Sequence, residues 1–176
     1  MSRNDSFVLD YVRQMMASDM NQEEKAYVCL SSGQMMERNG KYELALQCYS
    51  EAFSLEPLQN DVWYFLHNNL GYCLNGCSRF EQAEAFCRQA IAINPMRHNA
   101  YKNLGIALAG LQRFGEAAQT LVQAVELAPR DPRALLHLEE LFGAHPEIEE
   151  EIHGIFLLIE RCRLSVQEAL GIRDNQ

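Results

Sequence analysis

At 176 residues the chain is the size of one ordinary domain and too short for two comfortable ones, so a single structural unit is expected. Its 24 acidic against 15 basic side chains leave a formal charge of −9, which argues against nucleic acid as a partner because phosphates reward basic surfaces. Hydrophobic residues at 48% supply material for a core, and no apolar run approaches the roughly 18–20 residues of a membrane span. Met-Ser-Arg-Asn-Asp-Ser shows neither a secretory nor a mitochondrial leader, which sets the expectation of a cytoplasmic protein that does not engage membranes.

Residues 1–20 form an N-terminal segment. Phe7, Val8, Tyr11, Val12, Met15 and Met16 recur at i, i+1, i+4, i+5, i+8 and i+9, one face of an amphipathic helix ending near Ser18. Asn21 followed by Glu24 then reads as a capping box that opens the next helix.

Residues 21–131 repeat. Gly33, Gly71 and Gly105 stand 38 and 34 residues apart, and Ala45, Ala83 and Ala117 fall in the same register, as do Ala52, Ala90 and Ala124. So do Pro57, Pro95 and Pro129, the aromatics Tyr42, Phe80 and Phe114, and the bulky Met36, Leu74 and Leu108. Each copy, at about 26–59, 64–97 and 98–131, reads as a helix, a turn and a second helix. A small residue in the first helix lets the second approach, and two alanines seven apart give that second helix a shallow seam. Asn39-Gly40, Gly76-Cys77-Ser78 and Gly110-Leu111-Gln112 mark the turns, and the prolines end the second helices. Four extra residues between Pro57 and the second copy read either as a lengthened helix start, capped by Asn60 or Asp61, or as a longer loop. The one Trp, Trp63, falls at this junction, one turn before His67.

Residues 132–176 carry a partial fourth copy and a cap. Asp131-Pro132 opens a helix striped by Leu135, Leu138 and Phe142, with an Asp cap ahead of a Pro in the first turn. His145-Pro146 then breaks the pattern, and a helix of roughly 20 residues from about Glu147 to Leu170 is expected to cover the last apolar face.

Small and large columns at a 34-residue period, closed by Pro, resemble the tetratricopeptide repeat. The resemblance implies an all-α helical-hairpin solenoid whose first helices line a concave groove. The inward positions it implies are Tyr27, Leu30, Ser31 and Gln34 in the first copy, and Phe65, Asn68, Asn69 and Tyr72 in the second. Asn99, Lys102, Asn103 and Ile106 follow in the third, and Arg133, Leu136, His137 and Glu140 in the fourth helix. Asn69 and Asn103 each precede Leu-Gly. This tripeptide resembles the asparagine ladder of the O-linked N-acetylglucosamine transferase and kinesin light chain repeats, which implies amides that pair with the backbone of an extended peptide. An Asn bonded to its own neighbours is the alternative. The Lys/Arg set by which related repeats clamp a C-terminal carboxylate is missing here: those columns hold Leu30, Gln34, Asn99 and Asn103, and of that motif only Asn69 remains. A chaperone-tail receptor is therefore not expected.

Six Cys and five His show no metal-ligand spacing, and no nucleophile elbow, phosphate loop or zinc-protease motif occurs, so no catalytic residue, metal or cofactor is expected. Cys73 and Cys77, four apart, are the one pair worth following, and packing explains Cys73 in its column. The expected function is a non-catalytic scaffold or adaptor that binds a peptide or protein segment in its groove. Two alternatives are a secretion-type chaperone dimerising through the N-terminal helix, and a groove occupied by that same helix.

Overall fold

The computed structural model describes residues 3–57 and 59–172, which are all-α, and it falls into two compact units, Met1–Ile93 and Asn94–Gln176. The division replaces the single unit expected from chain length. Repeats bury their apolar faces mainly against neighbours, so length alone does not fix how many compact bodies form.

Unit 1 contains α1 (Arg3–Met16), α2 (Gln22–Arg38), α3 (Tyr42–Ser54), α4 (Asn60–Gly76) and α5 (Phe80–Ile93). α2 with α3 and α4 with α5 are helical hairpins, and α4 packs on α3 and α2. The Asn21 capping box forms as expected: Asn21 Oδ1 accepts the Glu24 N–H at 2.9 Å while Glu24 Oε2 accepts the Asn21 N–H at 3.0 Å. α1 lies on α2 and α3 and buries Val8 and Val12, two of the six residues of its stripe. Phe7, 72% exposed, and Tyr11 stay outside and line a cavity of about 700 Å³ with Ser31 and Met35.

Unit 2 contains α6 (His98–Gly110), α7 (Phe114–Leu127), α8 (Arg133–Ala144), α9 (Ile148–Glu151) and α10 (Ile155–Leu170). α6 and α7 form a hairpin, α8 packs on both, and α10 covers α7 and α8. The expected 20-residue last helix is broken. Gly154 sits at φ 82, and Glu149 bends back to accept the N–H groups of Gly154 at 3.0 Å and Phe156 at 3.3 Å, so its carboxylate caps the start of α10.

The repeat columns are packing columns. All six register alanines are buried, and each register glycine faces a side chain of the partner helix. A Cβ on Gly33 would lie 2.3 Å from the Tyr49 ring, on Gly71 2.4 Å from Cys87 Sγ, and on Gly105 2.6 Å from Leu121. The turns depart from expectation. The left-handed residue in each is Gly40 (φ 69), Ser78 (φ 57) or Gln112 (φ 61), whereas Gly76 and Gly110 end their helices. The next N–H, of Lys41, Arg79 or Arg113, then bonds back to Met36, Leu74 or Leu108, which closes the helix end as a Schellman turn. Gly76 is small for another reason: a Cβ there would meet the Tyr42 ring at 2.5 Å.

The four-residue insertion lengthens α4 to 17 residues against 13 for α6. Gln59 holds the cap position without a side-chain bond to the helix start, and Asn60, expected as a cap, is the first helical residue. The added turn carries Trp63 onto Phe53, ring centroids 5.0 Å apart.

Candidate functional site

In unit 1, α2 and α4 present the predicted site residues of the first two copies. Tyr27 is 48% exposed and donates its hydroxyl to Gln59 Oε1 at 3.1 Å. Ser31 is exposed and bonds back to the Val28 carbonyl, while Gln34, Phe65 and Tyr72 are half-buried. The Tyr72 ring stands edge-on to Tyr42 at 5.8 Å, and its hydrogen bond to Tyr42, reinforced by burial, pushes its phenol up to about 12.

Asn69 is 7% exposed, and its amide is engaged within the fold. It accepts from Asn68 Nδ2 at 3.0 Å and donates to the Tyr49 hydroxyl at 3.4 Å, and Tyr49 in turn donates to Glu37 Oε2 at 2.7 Å. Burial and the neighbouring Glu37 carboxylate raise the Tyr49 phenol far above its ordinary range, so it stays a donor. Of the two readings of Asn69, these bonds favour the amide satisfied by its own neighbours.

In unit 2, α6 and α8 carry the remaining predicted residues. Lys102 and Asn103 are buried, at 6% and 2% exposure, while Asn99, Ile106 and His137 are half-buried and Arg133 is exposed. Arg133 is tied down beside Asp131, with Nε at 2.8 Å from Oδ1 and Nη2 at 2.5 Å from Oδ2, and it also reaches Asn99 Oδ1 at 3.4 Å. His98 Nε2 lies 2.9 Å from the same carboxylate. Hydrogen bonds from Arg133, against the opposing effect of burial, hold Asp131 well below the usual carboxylate range. Asp131 Oδ1 also accepts the Arg133 N–H at 3.1 Å, but α8 begins at Arg133 with Pro132 in the cap position, one residue later than the Asp131 cap and Pro132 first turn expected from the sequence.

Ile106 and His137 share the wall of a cavity of about 260 Å³, with Phe114, Leu121, Leu141 and Glu140 among its other lining residues. At its edge Phe114 stacks on His145, centroids 3.6 Å apart. Sequence reasoning missed this cavity, Tyr49 and the Asp131 clamp. The signal for the first two lay in one repeat column, where Tyr49 and Leu121 are counterparts of very different size.

The cysteines are packing residues. Burial pushes Cys29 and Cys48 up to about 11 and raises Cys73 further, which keeps each as the unreactive thiol. Cys77 is raised by burial and by Glu43. Among the described residues no group of three His, Cys, Asp or Glu is placed to hold a metal ion, and no helix is long and apolar enough to cross a membrane.

Comparison with known proteins agrees with this architecture. Residues 78–141 match the Tetratricopeptide repeat family. A 78-residue stretch, 44% of this chain, is 31% identical to the human mitochondrial import receptor subunit TOM70, of which it covers 13%, so the chain spans a small part of that relative. The first tetratricopeptide-repeat domain of human RPAP3 superimposes with a TM-score of 0.62 at 27% identity, over 71% of this chain and 95% of that one. The second such domain of human RPAP3, solved in complex with the HSP70 peptide SGPTIEEVD, gives 0.57 at 25% identity over 68% and 94%. The all-α helical-hairpin fold expected from the columns is the fold observed.

Proposed function

We propose that the chain is a non-catalytic interaction module, a cytoplasmic scaffold or adaptor, that holds an extended partner segment against its first helices. One observation carries the reading: a hairpin-repeat domain of matching fold holds a short peptide, and α2, α4, α6 and α8 here offer partly exposed aromatic and amide side chains. Phe65 and Tyr72 anchor partner side chains in unit 1, and Asn99 bonds partner backbone in unit 2. The likeness of the Asn-Leu-Gly tripeptides to the ladder of O-linked N-acetylglucosamine transferase and kinesin light chain supports backbone reading by amides, which Asn99 carries at the surface of α6 while Asn103 lies buried behind it. Asn69 acts one step back, keeping Tyr49 and the α3–α4 junction in place.

Selection of 12-residue peptides displayed on phage tests the reading. The intact protein is expected to enrich a common motif, and the combined Phe65→Ala and Asn99→Ala variant to bind the selected peptides at least about tenfold more weakly, a loss of ~1.4 kcal/mol. Both positions are half-buried at helix surfaces, so far-ultraviolet circular dichroism should be unchanged. Undiminished affinity in the folded variant, or no enriched motif, overturns the proposal.

A further inference from the structure

The two units repeat one arrangement, a hairpin followed by the next first helix, so they can be compared position by position. α2 and α3 correspond to α6 and α7 through Gly33 and Gly105, and α4 corresponds to α8 through Asn69 and His137. In unit 1 the space enclosed by these three helices is filled. Tyr49, fully buried, bonds Glu37 and Asn69, and Tyr42 packs edge-on to Tyr72.

In unit 2 the same space is the cavity of about 260 Å³. Leu121 stands where Tyr49 does, Ala109 where Glu37 does, and Glu140 where Tyr72 does. Phe114, the counterpart of Tyr42, stacks on His145. A ring, its hydroxyl and the carboxylate that accepts its hydrogen bond are absent together from a packing that is otherwise retained. The void has the place and the surroundings of a phenol.

We infer that this cavity is an anchor pocket for an aromatic side chain, a tyrosine first, carried by the partner segment; the inference rests on the interaction proposed above. The ring enters among Ile106, Leu121 and Leu141, replacing water at apolar walls. Its hydroxyl meets Glu140 at the mouth, where the carboxylate lies 3.4 Å from His137 Nδ1, and donates to it as Tyr49 donates to Glu37. No Lys or Arg lines the cavity and Glu140 stands at its mouth, so a neutral ring is preferred to an acidic side chain.

The test uses the full chain with isotope-labelled methyl groups, titrated with p-cresol, with N-acetylleucinamide, and with the blocked peptides Ala-Ala-Tyr-Ala-Ala and penta-alanine. Saturable p-cresol shifts at Ile106, Leu121 and Leu141, with N-acetylleucinamide at least tenfold weaker, are expected. The tyrosine peptide should match or exceed p-cresol and penta-alanine should not bind, which identifies a side chain on a segment rather than a free aromatic molecule as the natural occupant. Ala109→Glu with Leu121→Tyr rebuilds the unit 1 pair and should abolish the shifts; Ala109→Leu, at a half-buried surface position, plugs the pocket without entering the core. Scattered shifts, or shifts undiminished in the Ala109→Leu protein, overturn the pocket. Pocket shifts without any phage-selected motif support the pocket and refute the interaction module. Selected peptides without an aromatic, bound equally by the Ala109→Leu protein, refute the pocket and leave the module standing.

Discussion

Tyr49 carries its phenol into the middle of unit 1, where its hydroxyl donates to Glu37 and Asn69 donates to its oxygen. Replacing it with Phe keeps the ring and removes both bonds, leaving a part-buried carboxylate without this donor and a buried amide without this acceptor. Tyr49→Phe is expected to lower unfolding free energy by about 1–3 kcal/mol, read from urea denaturation with an unchanged slope. The column that contains Tyr49 is readable in the sequence through Gly33, Gly71 and Gly105. The bonds it makes are not, because Glu37 and Asn69 lie 12 and 20 residues away and belong to other columns. That is also why Asn69 reads as a ligand-facing amide from its tripeptide and as a structural one from its contacts. Turn chemistry makes a second residue-scale case. Ser78 and Gln112 occupy the left-handed position that Gly40 fills in the first copy, with φ 57 and 61. Ser78→Gly and Gln112→Gly should each stabilise the protein by about 1 kcal/mol, measured as a rise in the denaturation midpoint, since glycine carries no Cβ to strain there.

Among the helices, α4 is the one whose extra turn rearranges its neighbours. The turn places Trp63 beside Phe53 and aligns His67 so that its Nδ1 lies 2.7 Å from the Trp63 carbonyl, with Phe53 and Phe86 against the ring. Burial lowers the His67 pKa below 6.5, and the bond to Trp63 opposes this only in part. The folded state therefore holds the neutral imidazole, while the unfolded chain takes up a proton near pH 6.5. Stability from this group is complete above pH 6.5 and is lost as pH falls from there to the folded pKa, at no more than about 1.4 kcal/mol per pH unit. His67→Phe keeps a ring in the cluster and removes the titration. Its unfolding free energy should therefore be flatter between pH 6.5 and 5 than that of the unsubstituted protein, and parallel curves would exclude the assignment. The lengthened helix was one of two sequence readings of the insertion, since helical spacing links Trp63 to His67. The break at Gly154 escaped the sequence pattern because it depends on Glu149 turning back to the amides that start α10.

Across the whole molecule the charge of −9 divides almost evenly, −5 in unit 1 from 7 basic and 12 acidic side chains and −4 in unit 2 from 8 and 12. Within unit 2 the acids cluster in Arg130–Glu151, two Arg against seven, and the inward positions implied by the repeats hold two cations, Lys102 and Arg133. Neither offers an open positive surface: Lys102 is 6% exposed, and Arg133 is held by Asp131. The RPAP3 domain that matches this fold was solved with a peptide ending in Glu-Glu-Val-Asp, a tail that brings further negative charge. Toward such a tail this protein has repulsion and no free cation in α8 to offset it. The peptide SGPTIEEVD is therefore expected to bind with Kd weaker than about 1 mM, and more weakly still as salt is lowered, by fluorescence anisotropy. Asp131→Asn keeps a side-chain oxygen able to accept the Arg133 N–H and loosens the hold on the guanidinium, which removes one negative charge and exposes one positive. That variant should tighten acidic-peptide binding several-fold at low salt, with the gain shrinking as salt is raised. Micromolar binding by the unsubstituted protein, or no gain on releasing Arg133, would mean that an acidic tail is held through groups other than these cations.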